Sequence, residues 1–516
     1  MINKIKKEYL NNKKYILISY IISILVILPN LIFFISWKKV AFLALVFILL
    51  LMLSKMSKLF FIIVVLYLNI INTIILHVSF KWGKITSLEP FIELIYISPL
   101  SESLEYISEY FSIIDIFIFI YMSIVFLLIY RYIFHYNHSF KTIKVISLSF
   151  FLIILTVISF YRNILSVMPL SFFYDFITVK ERADSYIVRN KNIEKNIEKN
   201  KEKNKEKNKI SVYDKVVFIM GESASKNYLE IYNKDKRTTP FFNKLKRKKD
   251  IYIFNSIAPA GQTRFSVPIN FTKATVNNFN KAFLESESFV TDFKLAGYKT
   301  YWLSNQGTVG YHETAVASIS KEADIVINKN LEYTNAKKDE VLLDYLDSIN
   351  INDDKQMFVF HLMGSHGAYT ERYSDKVLLH VKPKDTIEEY ENTIYYTDYI
   401  ISKIFDKFKE KKTLIVYTSD HGEIVSNKIS GHGHMKPFKD MFEVPLVIYS
   451  SIENKRIDEL YKENKNHFFN NENMNYIVNY ISYLNDDINI STSSKVFTQS
   501  LDNIYDFNNL ESNKND

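Results

Sequence analysis

The pattern of apolar and polar positions divides the chain in two. Residues 1–161 are dominated by long apolar runs, at about 15–36, 40–54, 59–78, 111–130 and 145–161, and each predicts a membrane-spanning helix. The second and fifth runs are short for a hydrocarbon core of about 30 Å. Lys38, Lys39 and Lys55 can snorkel from the ends of the second. The first run is long, lacks a small-residue cleavage site and precedes further runs, so it reads as a span and not as a cleaved signal. Residues 211–516 behave differently. Short β-type runs alternate there with helix-type stretches and polar loops, the pattern of a soluble α/β domain.

Between the halves lie four near-identical tetrapeptides of the form X-Glu-Lys-Asn, beginning at Ile193, Ile197, Lys201 and Lys205. Their low apolar content predicts a solvated helix or a disordered tether. The expected organisation is a transmembrane domain over 1–165, a linker over 166–210 and a catalytic domain over 211–516. The loop 79–110 carries Glu89, Glu93, Glu102, Glu105 and Glu109 among apolar residues. It reads as a helix on the membrane surface, with a headgroup contact near Glu102 as the sharper alternative.

Charge then orients the chain. Lys4, Lys6, Lys7, Lys13 and Lys14 precede the first run; Lys55, Lys58, Arg131, Lys141 and Lys144 fall on the same side, against Lys38, Lys39, Lys81 and Lys84 on the other. The bias predicts a cytoplasmic N-terminus, and five spans then put the second half outside. The formal net charge of +8 does not point to nucleic acid. Residues 191–209 alone hold eight Lys and four Glu, which accounts for half the excess. With no cysteine, disulfides and thiolate metal sites are excluded.

Candidate chemistry sits at the ends of three β-type runs. Leu414–Ser419 leads into Asp420, His421, Gly422 and Glu423; Lys215–Met220 leads into Gly221, Glu222 and Ser223; Phe358–Met363 leads into Gly364, Ser365, His366 and Gly367. In open α/β sheets ligands gather at the carboxyl ends of strands. Glu, Asp and His brought together there form a nest for a divalent metal, and so point to a metal-dependent enzyme. The loop Pro259–Pro268 adds hydroxyls. Thr263, Ser266 and Ser223 are each candidates for a nucleophile that a metal would activate.

In order and spacing these segments resemble the phosphoethanolamine transferase family. The likeness runs from Gly221-Glu222-Ser223 through Thr238-Thr239-Pro240 and Gln262-Thr263 to Pro268, then Trp302, Asn305 and Gln306. It continues with Gly364 to Gly367, Tyr390 to Asp398, Ser419 to Glu423, and Gly431-His432-Gly433-His434. The resemblance implies an alkaline-phosphatase/sulfatase-like α/β domain behind five transmembrane helices, in the inner membrane with the catalytic domain in the periplasm. It makes Glu222, Asp420 and His421 zinc ligands and Thr263 both fourth ligand and nucleophile. His366 and His432 would lie near the transferred phosphate or a second zinc, with His434 a nearby substitute and Asn305 and Gln306 near the substrate. The implied cofactor is one tightly bound Zn2+, or two, in preference to Mn2+.

The implied donor is phosphatidylethanolamine, and the implied acceptor a hydroxyl or phosphate on lipid A, lipopolysaccharide core or another cell-surface glycan. Two departures leave the acceptor open: the chain has no disulfides, and Gly307 to His312 offers no lysine beyond the Trp-x-x-Asn segment. A phosphoglycerol transferase of the lipoteichoic acid synthase type shares the ligand set and is the nearest alternative. A lipid-binding sensor on the same scaffold is the non-enzymatic one. A sulfatase active site would need Cys or Ser in a Cys/Ser-x-Pro-x-Arg frame, and neither Thr263 nor Ser266 sits in one.

Overall fold

The computed structural model describes residues 58–82, 111–135, 172–203 and most of 211–512, together with Leu25, Leu88, Glu89, Phe91, Ile92 and Tyr96. Within 211–512 the stretches outside the description are 248–249, 307–313, 329–337, 410, 427–429, 435, 465–466, 487, 489 and 499–502. The expected spans at 40–54 and 145–161, nearly all of 15–36, Glu102 and the segment from Gly307 to His312 therefore lie outside the described residues. By internal contacts the chain separates into two units, Met1–Tyr96 with Tyr106–Lys180, and Ile97–Glu105 with Glu181–Asp516.

In the first unit, α1 (Lys58–Trp82) and α2 (Ile113–His135) fall on the third and fourth apolar runs. Among the described residues, Ile113–Tyr130 is long and apolar enough to cross a membrane by length and composition; Asn69–Phe80 is a shorter apolar stretch. Leu76, Ile118 and Met122 pack together, while Ile63, Ile70, Phe117, Phe119 and Leu127 stand exposed. Of the five expected helices, these two are the ones described.

The long helix α3 (Phe172–Lys203) occupies most of the expected linker and passes from one unit into the other. Within the second unit it buries Ala183, Tyr186, Arg189, Ile193 and Ile197, spaced three or four apart and so on one helical face. Tyr186 meets Phe283 edge-on at 5.6 Å. Of the expected solvated helix or disordered tether, the described repeats form a helix, but one that is not solvated all round. The first two repeats open with Ile193 and Ile197, and both lie on the buried stripe; the next two open with Lys201 and Lys205.

The second unit is built on an eight-stranded sheet: β1 (Lys215–Gly221), β2 (Ile251–Ile257), β3 (Lys299–Ser304), β4 (Ile325–Asn328), β5 (Gln356–His361), β6 (Thr413–Ser419), β7 (Glu443–Ser450) and β8 (Phe469–Asn470). The order is β4-β3-β5-β1-β6-β7-β2-β8. Strands β4, β3, β5, β1 and β6 run parallel, and β7 is antiparallel to both its neighbours. Alternation of side chains sorts each central strand between two cores. Val216, Phe218 and Met220 of β1 face one cluster with Leu414 and Val416; Val217 and Ile219 face the other with Ile415 and Tyr417. Central strands buried on both faces explain why these runs are continuously apolar.

Register fixes where the chemistry lies. Gly221 pairs with Ser419, Met220 with His361, and His361 with Ser304. Four parallel strands thus end level, and the residues just beyond them share one edge of the sheet.

Candidate metal centre

Glu222 and Asp420 follow neighbouring strand ends, and His421 comes one residue later. All three are fully buried. The turn after β1 is tight. Ser223 takes a left-handed conformation, φ 56°, which a non-glycine residue adopts only when held there. Its N–H donates to Asp420 Oδ1 at 3.1 Å, its hydroxyl to Glu222 Oε1 at 3.0 Å, and its carbonyl accepts from Tyr390 Oη at 2.7 Å. Gly364, φ +51°, lies against the same turn. A Cβ there would fall 2.7 Å from the Glu222 carbonyl oxygen, and Ser365 N–H donates to that oxygen at 2.9 Å. The loop after β5 can approach β1 this closely only through a glycine.

Thr263 is the first residue of α4 (Thr263–Phe271). Its Oγ1 lies 3.2 and 3.4 Å from the two Glu222 oxygens and 3.2 Å from His421 Nε2. The helix N-terminus favours negative charge at this hydroxyl. His421 Nε2 also lies 3.3 Å from Glu222 Oε1 and 3.2 Å from Asp420 Oδ2, while its Nδ1–H donates to the Gly422 carbonyl at 3.0 Å. That bond sets the tautomer and aims Nε2 into the carboxylates, as in metal-ligating histidines.

The donor set asks for a cation. Burial alone would push His421 down, yet the Asp420 and Glu222 carboxylates raise it to about 10. Asp420 is pushed up to about 7 by burial and by the Glu222 charge. Glu222, against its burial, is held well below the usual carboxylate range by the His421 imidazolium. The buried Asp420 Oδ2 accepts no well-formed hydrogen bond among the described residues. Two carboxylates, an imidazole nitrogen and a hydroxyl converging within hydrogen-bond range, with one oxygen left over, fit a zinc ion of N/O ligation. Ligand atoms of Glu222, His421 and His432 also come within 4.8 Å of one another.

His432 and His366 stand at the open side of this cluster. The His432 ring is 4.0 Å from that of His421 and 6.0 Å from that of His366. His432 Nδ1 donates to Glu423 Oε2 at 2.8 Å, and Glu423 Oε1 accepts from Tyr369 Oη at 2.8 Å. Gly433, φ +66°, lets its loop close on the residue before Thr263: a Cβ would meet Gln262 Nε2 at 2.6 Å. His434 turns to the Ser430 carbonyl at 3.1 Å and not to the other histidines.

Of the hydroxyl candidates, Ser266 donates to the Asp420 carbonyl, Ser223 donates to Glu222 Oε1, and Thr263 Oγ1 lies within reach of both Glu222 and His421 Nε2. Gln306 Nε2 donates to Glu222 Oε2 at 2.7 Å and to the Leu362 carbonyl at 2.8 Å, while Asn305 donates to Asp339 at 2.9 Å. Two site residues were missed in the sequence. Glu423 lay inside the Ser-Asp-His-Gly-Glu segment, where its motif position was the signal. Asp339 carried no local signal.

The sequence pattern of the family described as Sulfatase matches residues 214–477, slightly more than half of the chain. The phosphoethanolamine transferase OpgE of Escherichia coli (strain K12) is 31% identical over 249 residues, 46% of this chain and 46% of that protein. The chain thus spans about half the length of the curated relatives it matches. The C-terminal periplasmic domain of EcEptC from Escherichia coli, in complex with Zn, superposes with a TM-score of 0.51 at 20% identity, over 59% of this chain and 95% of that one. The integral membrane protein lipooligosaccharide phosphoethanolamine transferase A from Neisseria meningitidis superposes with a TM-score of 0.58 at 16% identity, over 90% and 95%. At these identities the superpositions show a shared fold.

Proposed function

Because this chain belongs to the sulfatase family, we propose that it uses the Glu222–Thr263–Asp420–His421 centre to transfer phosphoethanolamine from phosphatidylethanolamine to a hydroxyl or phosphate on a cell-surface glycolipid or glycan. The observation that carries the reading is the position of Thr263 Oγ1, 3.2 Å from both a Glu222 oxygen and His421 Nε2 at a helix N-terminus. Relatives named as phosphoethanolamine transferases support the transferred group. Glu222, Asp420, His421 and Thr263 would hold zinc, which when bound would favour the threonine alkoxide and offset charge on the phosphoryl oxygens.

Thr263 Oγ1 attacks phosphorus in line. The bond from phosphorus to the diacylglycerol oxygen breaks as the bond to Thr263 forms, giving a phosphoethanolamine ester of Thr263. The leaving oxygen takes a proton from His432 or His366. For His432, Glu423 fixes Nδ1–H and so keeps Nε2 for proton transfer. An acceptor oxygen then attacks the ester, gives up its proton to the same histidine and releases Thr263. The phospholipid supplies the transferred group, so the reaction needs no nucleotide.

The test is mass spectrometry of the full chain after incubation with phosphatidylethanolamine. A phosphoethanolamine adduct is expected on the peptide containing Thr263, lost in Thr263→Ala and kept in Ser266→Ala. A glycerophosphate adduct formed preferentially from phosphatidylglycerol would move the chain to the phosphoglycerol branch. An adduct on another residue would overturn the nucleophile.

A further inference from the structure

Asp339 lies just before the helix Val341–Asp347, away from the strand ends that supply the ligands, yet it is 2% exposed and bound on both oxygens. Oδ1 accepts the Met363 N–H and the Asn305 side-chain amide, each at 2.9 Å; Oδ2 accepts the Gly364 N–H at 2.9 Å. These donors belong to the two segments that press on Glu222. Asn305 is followed by Gln306, whose amide donates to Glu222 Oε2. Gly364 and Ser365 pack on the Glu222 backbone and lead to His366. From the far side, Arg372 Nε donates to the His366 and Gly367 carbonyls at 3.2 and 2.9 Å.

We propose that Asp339 is a positioning residue for the metal centre: its carboxylate ties the end of β3 to the loop after β5, and so fixes both the Gln306 bond to Glu222 and the placement of His366. This rests on the reading of Glu222 as a metal ligand. A carboxylate is required because three N–H donors converge on two acceptor oxygens, two of them backbone groups that no rotation can redirect. In Asp339→Asn one acceptor becomes an NH2 group facing an N–H. One segment must then move away. Partners that orient metal ligands typically matter by about 10–100-fold in affinity.

The probe is Zn2+ alone, titrated against a chelating indicator with the full chain in detergent. Asp324→Asn serves as comparison. Asp324 accepts the Thr300 N–H and hydroxyl at 2.9 Å each at the other end of β3, so it is a structural carboxylate remote from the site. Asp339→Asn is expected to lower Zn2+ affinity by about 10-fold or more and to lower kcat with KM little changed, while Asp324→Asn leaves Zn2+ affinity as in the unsubstituted chain. Equal Zn2+ affinity in the Asp339→Asn and unsubstituted chains overturns the inference, as does an equal loss in Asp324→Asn. If Asp339→Asn does not fold, Asn305→Ala cuts only the arm to Gln306 and must still weaken Zn2+, or the inference fails. An unsubstituted chain that binds no Zn2+ refutes the metal reading itself, a different outcome from either.

Discussion

Shortening the second unit to residue 211 should damage it, because one of its buried ion pairs has a partner upstream. Arg189 and Glu322 meet at 2.7 Å with side chains 0% and 3% exposed. The guanidinium also donates to the Phe283 and Ser286 carbonyls at 2.8 and 2.9 Å and to Ser318 Oγ at 3.0 Å. The other Glu322 oxygen accepts the Ser288 N–H and the hydroxyls of Ser288 and Thr291. Glu322 is thereby fixed and cannot follow water when its cation is removed. Breaking such a pair from one side costs about 3–5 kcal/mol, since a buried charge and two carbonyls lose their partner. Loss of the Tyr186–Phe283 contact adds about 1 kcal/mol. We expect residues 181–516 to unfold in urea as one transition, residues 211–516 to lose both contributions, and Arg189→Met in the longer piece to lose that of the ion pair alone. Trp302 is buried and is the one tryptophan in this stretch, so its fluorescence reports the core directly. A cycle with Glu322→Gln should show coupling of at least 1 kcal/mol. Equal urea midpoints for the two lengths, or an Arg189→Met cost under about 1 kcal/mol, would refute the reasoning.

Two further outcomes follow from the buried carboxylates. Glu222→Gln and Asp420→Asn should each lose bound zinc and transfer activity; a mutant retaining zinc through chelator dialysis would remove that ligand from the set. Asp292, which accepts from Asn479 Nδ2 at 2.7 Å, is raised by burial to about 6. With an unfolded value near 3.9, its contribution to stability is full below about pH 4 and is lost as pH rises to about 6. Asp292→Asn keeps the acceptor and should gain roughly 2–3 kcal/mol on the parent across that window; a difference independent of pH from 4 to 8 would contradict the shift.

The strands of the centre were legible because continuous apolar runs ending in Gly-Glu, Asp-His and Gly-Ser-His carry both their burial and their polarity in consecutive residues. Register then does what sequence order cannot: it sets Gly221 beside Ser419 and His361 beside Met220, so that residues separated by more than a hundred positions share one edge. Thr263 was one of three hydroxyl candidates. It is distinguished by its approach to both Glu222 and His421 at a helix N-terminus, and neighbours that far along the chain leave no local trace. Asp339 is the extreme case. Its whole role lies in donors from Asn305, Met363 and Gly364, and nothing in the neighbouring residues marks it.

Helix α3 shows the opposite failure, in which a local pattern was present and was outweighed by composition. A four-residue repeat drifts around a helix of 3.6 residues per turn by about 40° per repeat, so two successive isoleucines stay on one face with Tyr186 and Arg189 while a longer series would not. Glu194, Lys195 and Glu198 are on the solvated side of a half-buried helix. Composition averaged over the repeats hides this, because the apolar residues are few and all of them fall in the first half.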